Sequence, residues 1–354
     1  MKGIFDYLRR YKDVSFKEKA FNEVDALILS QFSYAKWEQY IPGLFEKKKS
    51  VSVKELKERI CNEVVFSDPW FGRKNQLLFY LMCGGKRFGT MCCNYRAKIL
   101  NEGVETQFCA FVCILQDTYP VVVFRGTDEN LIGWKEDFNL VMKKPVLAQL
   151  FSGIYLNRVA EVLTGKFIIC GHSKGGNLAI FSAIHAADKN VGRIKRIYSF
   201  DGPGFRKELL KSYEYVRIKP KIRKYLPKSS VVGMLLNQNE ECRVIKSKGW
   251  GFLQHNPYAW RIKDDHFIRV SSVKFRKKLC FWSFDKWITK LPEEEILFFT
   301  DTLFDLLWLN NDRTTFEWIE HHKMNLPAMK KQVMQLDKGD RIRFFHFFMR
   351  LILL

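Results

Sequence analysis

The residues Phe167-Ile168-Ile169-Cys170-Gly171-His172-Ser173-Lys174-Gly175-Gly176-Asn177-Leu178-Ala179 change character at Gly171. Before it runs a short apolar segment that reads as a buried strand. After Gly175-Gly176 the sequence is helix-compatible as far as Ala187. Between the two lies Gly-x-Ser-x-Gly, in the strand-to-helix context that this pattern needs. A nucleophilic serine has to project from a tight turn with its backbone in an unfavourable region. Small residues two before and two after it let strand and helix approach without Cβ clashes. The helix then offers its first N–H groups to a developing oxyanion.

Upstream, Tyr119-Pro120-Val121-Val122-Val123-Phe124 is a continuously apolar run, as in a buried parallel strand. It runs into Arg125-Gly126-Thr127-Asp128. The Thr127 hydroxyl and N–H could donate to an oxyanion there, and Gly126 lets the backbone come close. An ordinary glycine turn capped by Asp128 is the alternative. Leu147–Leu163 reads as an amphipathic helix, and Ile194–Phe200 as the next strand, ending in Asp201-Gly202-Pro203-Gly204. Strand, helix, strand is the alternation of an open α/β sheet, whose functional groups gather at the carboxyl ends of strands. Ser173 and Asp201 both stand at such ends.

Earlier still, Phe21–Trp37 has helical spacing, Gln76–Cys83 fits helix or strand, and 87–96 with 106–114 reads as a β-meander. Asp25 reads as a helix-face or capping carboxylate. Ser52 and Glu55 make a capping box. Further on, Tyr215–Ile218 reads as a short strand, 229–236 and 242–247 as two more elements, and Gly249–Pro257 as a glycine-rich loop. Phe284–Trp287, Ile296–Trp308 and Arg341–Leu354 are helical and rich in Phe and Leu.

The 354 residues carry 59 Lys and Arg against 38 Asp and Glu, a formal charge of +21. Such a field attracts nucleic acid, anionic membrane or acidic substrates. The basic residues are spread along the chain, and no nucleic-acid motif accompanies them, so nucleic acid ranks last. The nine Cys show no repeated zinc spacing, and buried free thiols in a reducing compartment account for them. No apolar run reaches the ~20 residues of a transmembrane helix, and the N-terminus does not read as a secretory signal. The expectation is a cytoplasmic protein, at most peripheral to a membrane. No metal site or cofactor is expected.

A serine needs a base within reach and a carboxylate to hold that base in one tautomer. Of seven His, His172 should point away from Ser173, and His185, His321, His322 and His346 lie in helical segments. His266 follows Asp264-Asp265. His255, on the glycine-rich loop, fits best as the base. Asp201 is the candidate acid, with Glu240 or Glu241 as alternatives one strand further on. Ser173, Asp201, His255 follow the order Ser, acid, His found in α/β-hydrolases.

Phe124-Arg125-Gly126-Thr127, the 171–179 stretch, Ser199–Phe205 and Gln254-His255-Asn256-Pro257 together resemble the class 3 lipase-like α/β-hydrolases. They look more like a bacterial branch defined as a domain of unknown function. The resemblance covers roughly residues 20 to 310. It implies an α/β-hydrolase fold, a mostly parallel central sheet with helices on both faces, followed by a helical C-terminal subdomain. The divisions are 1–19 as an extension, 20–274 as the core and 275–354 as the helical region. The resemblance implies Ser173 as nucleophile, Thr127 and the Lys174 N–H as oxyanion hole, and His255 as base. Two departures stand out. Lys174 takes the place of the usual leucine. The usual Asp-x-Val-Pro acid has no counterpart in Lys219-Pro220-Lys221-Ile222-Arg223-Lys224-Tyr225-Leu226-Pro227. The acid therefore moves to Asp201, or the triad is incomplete. The function expected is cleavage of a lipid or other hydrophobic acyl ester through an acyl-enzyme. The alternative is an inactive hydrolase scaffold kept for binding or regulation.

Overall fold

The apolar runs around Ser173 become the centre of one sheet. The computed structural model of the protein describes residues 2–46, 50–68, 70–142, 145–270, 287 and 291–352. Eight strands lie side by side in chain order. They are β1 (Val51–Ser52), β2 (Cys92–Asn101), β3 (Thr106–Ile114), β4 (Val121–Phe124), β5 (Phe167–His172), β6 (Ile194–Phe200), β7 (Ile222–Pro227) and β8 (Cys242–Ile245). From β4 to β8 every neighbouring pair is parallel, while β3 meets β4 antiparallel. Phe124 pairs with Gly171 and His172 with Phe200, so β4, β5 and β6 end level with one another. Arg125, Ser173 and Asp201 leave the sheet from that shared edge.

The period of two along each strand sends side chains to both faces. Val121, Val123, Ile168, Cys170, Tyr198, Phe200 and Tyr225 join one cluster with Ala26, Leu27, Leu29 and Phe32 of the helix Glu23–Phe32. The alternate residues Val122, Phe124, Phe167, Ile169 and Ile197 are equally buried. On that side Tyr155 of the helix Leu147–Val162 packs edge-on to Phe124. A sheet covered on both faces must be apolar on both, which is why β4 and β5 read as unbroken runs. With the serine turn between β5 and the helix Lys174–Ile184, this is an α/β-hydrolase fold.

The chain divides into two compact units, 1–99 with 108–126 and 147–274, and 100–107 with 127–146 and 275–354. The second unit thus draws on two earlier segments besides the C-terminal region. Its core stacks Phe299 on Phe347 at 3.9 Å and includes Ile296, Phe304 and Phe344. Lys135, buried there, is held by Glu105 at 2.7 Å and Asp301 at 2.9 Å. Of the expected helix at 284–287, residues 284–286 fall outside the described residues. Within residues 1–19, Ile4–Tyr11 is a helix, and Ile4, Tyr7, Leu8 and Phe16 enter the first unit's core.

Two local expectations change, at 215–218 and 87–91, and two stretches left open are assigned. Tyr213–Ile218 is a helix, with the Ser212 hydroxyl accepting from the Tyr215 N–H. The basic stretch 219–227, unassigned in sequence, supplies β7. Its lysines and arginines mask an alternation in which Ile222, Lys224 and Leu226 face one side, with Lys224 neutralised by Glu240 at 3.3 Å. Gly72–Cys83 is helical, and residues 86–89 form a helical turn that delays β2 to Cys92. Among the described residues no helix is long and apolar enough to cross a membrane.

Candidate active site

Ser173 sits at φ 57°, ψ −132°, a left-handed region that non-glycine residues rarely adopt. The structure around it leaves no alternative. Its N–H donates to the Phe200 carbonyl at 2.9 Å, and its carbonyl accepts from Gly176 at 2.9 Å. The glycines that flank it make room for this. A Cβ on Gly175 would lie 2.2 Å from the Phe124 carbonyl oxygen, and one on Gly171 would lie 2.1 Å from that of Gly175. Side chains there would push the helix off β4 and β5. The Ser173 hydroxyl has no hydrogen-bond partner among the described residues. Lys174 is the first residue of the helix, and its side chain is buried. The first N–H groups of a helix have no carbonyl of their own helix to bond.

Asp201 leaves β6 at φ 49° and is fully buried. Its N–H donates to the Tyr225 carbonyl at 2.9 Å, which ties it to β7. Its two oxygens have separate partners. Oδ1 accepts from the Ser230 hydroxyl, and Oδ2 lies 2.7 Å from His255 Nδ1. An ionised carboxylate can only accept, so His255 carries its proton on Nδ1 and turns the lone pair of Nε2 outward. Ser173, Asp201 and His255 all belong to the first unit. Neither alternative acid joins them. Glu240 is buried against Lys224 and the Tyr215 hydroxyl, and Glu241 points to Arg243 at 3.6 Å. Burial works to raise the Glu240 pKa, but Lys224 and Tyr215 outweigh it and hold it below the usual value. Glu240 is the counter-ion of a buried lysine.

His172 is the last residue of β5 and is buried. Its Nε2 is 2.9 Å from the His255 carbonyl, and its Nδ1 is 2.9 Å from the Tyr34 hydroxyl. A carbonyl only accepts, so His172 carries its proton on Nε2 and takes the Tyr34 O–H at Nδ1. The His172 and His255 rings lie 4.5 Å apart at 32°. Burial first, and then the neighbouring His255, push the His172 pKa well below the ordinary histidine value. It is neutral at physiological pH. The Tyr34 hydroxyl occupies the notch left by Gly126, where a Cβ would stand 2.2 Å from that oxygen. Tyr34 and Ser230 carry no sequence signal, because their partners stand 138 and 29 residues away.

Thr127 lies in the second unit, directly after Gly126, and its hydroxyl is buried with no partner among the described residues. His266 binds Asp265 at 3.1 Å, His321 binds Asp312 at 2.7 Å, and His185 stacks on Phe181 at 4.1 Å. No group of His, Cys, Asp and Glu among the described residues could hold a metal ion.

A family model described as Mbeg1-like matches residues 82–305, a span that includes Ser173, Asp201 and His255. No curated protein matches the chain. Among solved structures the chain is similar to one titled "Crystal structure of M37 lipase". The two are 16% identical with a TM-score of 0.39, over 61% of this chain and 70% of that one.

Proposed function

The chain belongs to the Mbeg1-like family, which is lipase-like, and we propose that this member is a serine hydrolase cleaving a carboxylic ester with a hydrophobic acyl group. One observation carries this most directly. A serine in a strained strand-to-helix turn shares a unit with a histidine whose Nδ1 is 2.7 Å from a fully buried aspartate. Buried carboxylates are costly, and this one faces an imidazole at hydrogen-bond distance.

Ser173 Oγ attacks the acyl carbonyl while His255 Nε2 takes its proton. Asp201 stabilises the imidazolium and fixes the tautomer. The negative charge on the carbonyl oxygen falls to the Lys174 N–H at the positive end of its helix. Collapse expels the alcohol, protonated by His255, and leaves an acyl-enzyme on Ser173. Water activated by the same histidine then releases the acid. His172 and Tyr34 act through His255 as positioning residues, fixing its main chain. The eight free thiols among the described residues suit a reducing, cytoplasmic setting.

Fluorophosphonate labelling tests this. The wild type is expected to label on one serine and Ser173→Ala not at all, after which a panel of esters defines the acyl preference. A folded wild type that takes no label would leave a hydrolase scaffold kept for binding. A finer prediction concerns Tyr34→Phe, which removes the donor to His172 Nδ1. It should lower kcat about fivefold, the worth of one hydrogen bond, with KM unchanged. An equal change in both constants, or none, would deny Tyr34 this role.

A further inference from the structure

We propose that the turn preceding His255 docks the protein onto an anionic lipid bilayer. Trp250, Phe252 and Leu253 are 75%, 67% and 65% exposed, three large apolar side chains within four residues. Exposed turns are ordinarily polar, and a cluster of this kind marks an interaction surface.

The exposure belongs to an ordered turn. Gly249 and Gly251 stand on either side of Trp250 at φ 74° and 57°, conformations that aim the intervening side chain outward. The Leu253 N–H donates to the Trp250 carbonyl at 3.2 Å. Gln254, buried, ties the base of the turn twice. Its Nε2 donates to the Gly249 carbonyl at 2.7 Å, and its Oε1 accepts from the Ser229 N–H at 2.7 Å. Trp260, wholly buried, donates from Nε1 to the Gln254 carbonyl at 2.8 Å. The turn is fixed from beneath while its apolar side chains face water.

Charge selects the occupant. Lys228, Lys246 and Lys248 are exposed, and none meets a carboxylate among the described residues. Their main chains frame the turn. The Lys248 N–H bonds the Ala259 carbonyl at 3.0 Å, the Lys228 N–H bonds that of Ile245 at 3.0 Å, and Lys228 adjoins the Ser229 that Gln254 holds. Tryptophan and leucine beside unpaired lysines suit the headgroup boundary of a negatively charged leaflet. A second copy of this chain, itself at +21, would bring like charge to the same place. If His255 is the base, the docked turn brings the reacting serine to the surface where lipid esters lie. That link rests on the proposed hydrolase chemistry, whereas the binding does not.

Co-sedimentation with vesicles tests the docking. The wild type should sediment with vesicles of phosphatidylcholine and phosphatidylserine and far less with phosphatidylcholine alone. The triple variant Trp250→Ser, Phe252→Ser, Leu253→Ser should lose more than about a hundredfold in partition. Its labelling and its hydrolysis of a water-soluble ester should be unchanged, which also certifies its fold. Lys228→Glu, Lys246→Glu and Lys248→Glu should each weaken binding by about fivefold or more. A wild type that stays in solution with both vesicles would overturn the proposal, as would a triple variant that binds as well as the wild type. A variant that changes only self-association would assign the turn to a second copy instead. Vesicle binding without labelling would refute the hydrolase and keep the docking, and labelling without vesicle binding would do the reverse.

Discussion

Asp201→Asn is expected to slow labelling and hydrolysis about ten-thousand-fold while leaving the protein folded. The size of the effect follows from which atoms face one another. Asp201 lies at φ 49°, a conformation that asparagine accepts, so the backbone has no reason to move. Ser230 donates to Oδ1, so the amide oxygen of the variant stays there and the NH2 group faces His255 Nδ1. Two donors cannot share that contact. The imidazole must shift its proton to Nε2, which then has no lone pair for the Ser173 proton. Adding Ser230→Ala releases the amide to turn over and should recover part of the loss. The measurement is the second-order labelling rate of each variant beside its thermal midpoint. A variant near the wild-type rate would remove Asp201 from the mechanism.

The second large effect is on stability. Arg87→Met should cost about 3–5 kcal/mol, out of a total stability of about 5–15 kcal/mol. Arg87 and Asp25 have fully buried side chains, and the guanidinium meets both carboxylate oxygens, Nε to Oδ1 at 2.8 Å and Nη2 to Oδ2 at 2.5 Å. It also donates to the carbonyls of Val14 at 3.2 Å and Lys19 at 3.1 Å, pinning the N-terminal segment. Tyr7 adds an O–H to Asp25 at 2.8 Å. Methionine in place of Arg87 leaves a buried carboxylate without its cation. The double variant Asp25→Leu, Arg87→Met removes both charges and should be more stable than the single one. Urea unfolding measures both, and equal losses would mean that the pair is not what Arg87 contributes. Acid should partly rescue the single variant. Burial is the dominant influence on Asp25 and raises its pKa. The folded state then keeps a proton that the unfolded chain has released, so stability falls as pH rises between the two values.

Much of this was readable along the chain because it depends on neighbours in sequence. The glycines at 171, 175 and 176 announced a strand and helix packed too closely for side chains, and the distances at Gly171 and Gly175 agree. The apolar runs of β4, β5 and β6 gave the buried sheet, and the order of Ser173, Asp201 and His255 pointed to Asp201 as the partner of His255. Asp25 read correctly as a capping group, since Asn22 and Asp25 cap each other's backbone. Its ion pair with Arg87, 62 residues away, had no local sign.

Where local signals conflicted, packing decided. β7 was hidden by its charges, because nothing in 219–227 says that Glu240 will neutralise Lys224. The side-chain pattern of Tyr215–Ile218 fits a strand, but the Ser212 cap starts a helix. The sequence by itself determined the elbow, the parallel core and the short list of candidate groups, since each rests on contacts within a few residues or on a repeat along one element. Only the tertiary structure decided which carboxylate faces His255, which hydroxyl orients that carboxylate, and that Tyr34 fixes His172 from 138 residues away. Those pairings follow from how the sheet, the helix Glu23–Phe32 and the loops after β6 and β7 pack together, which brings distant side chains within 3 Å of one another and leaves no trace in the spacing of residues along the chain.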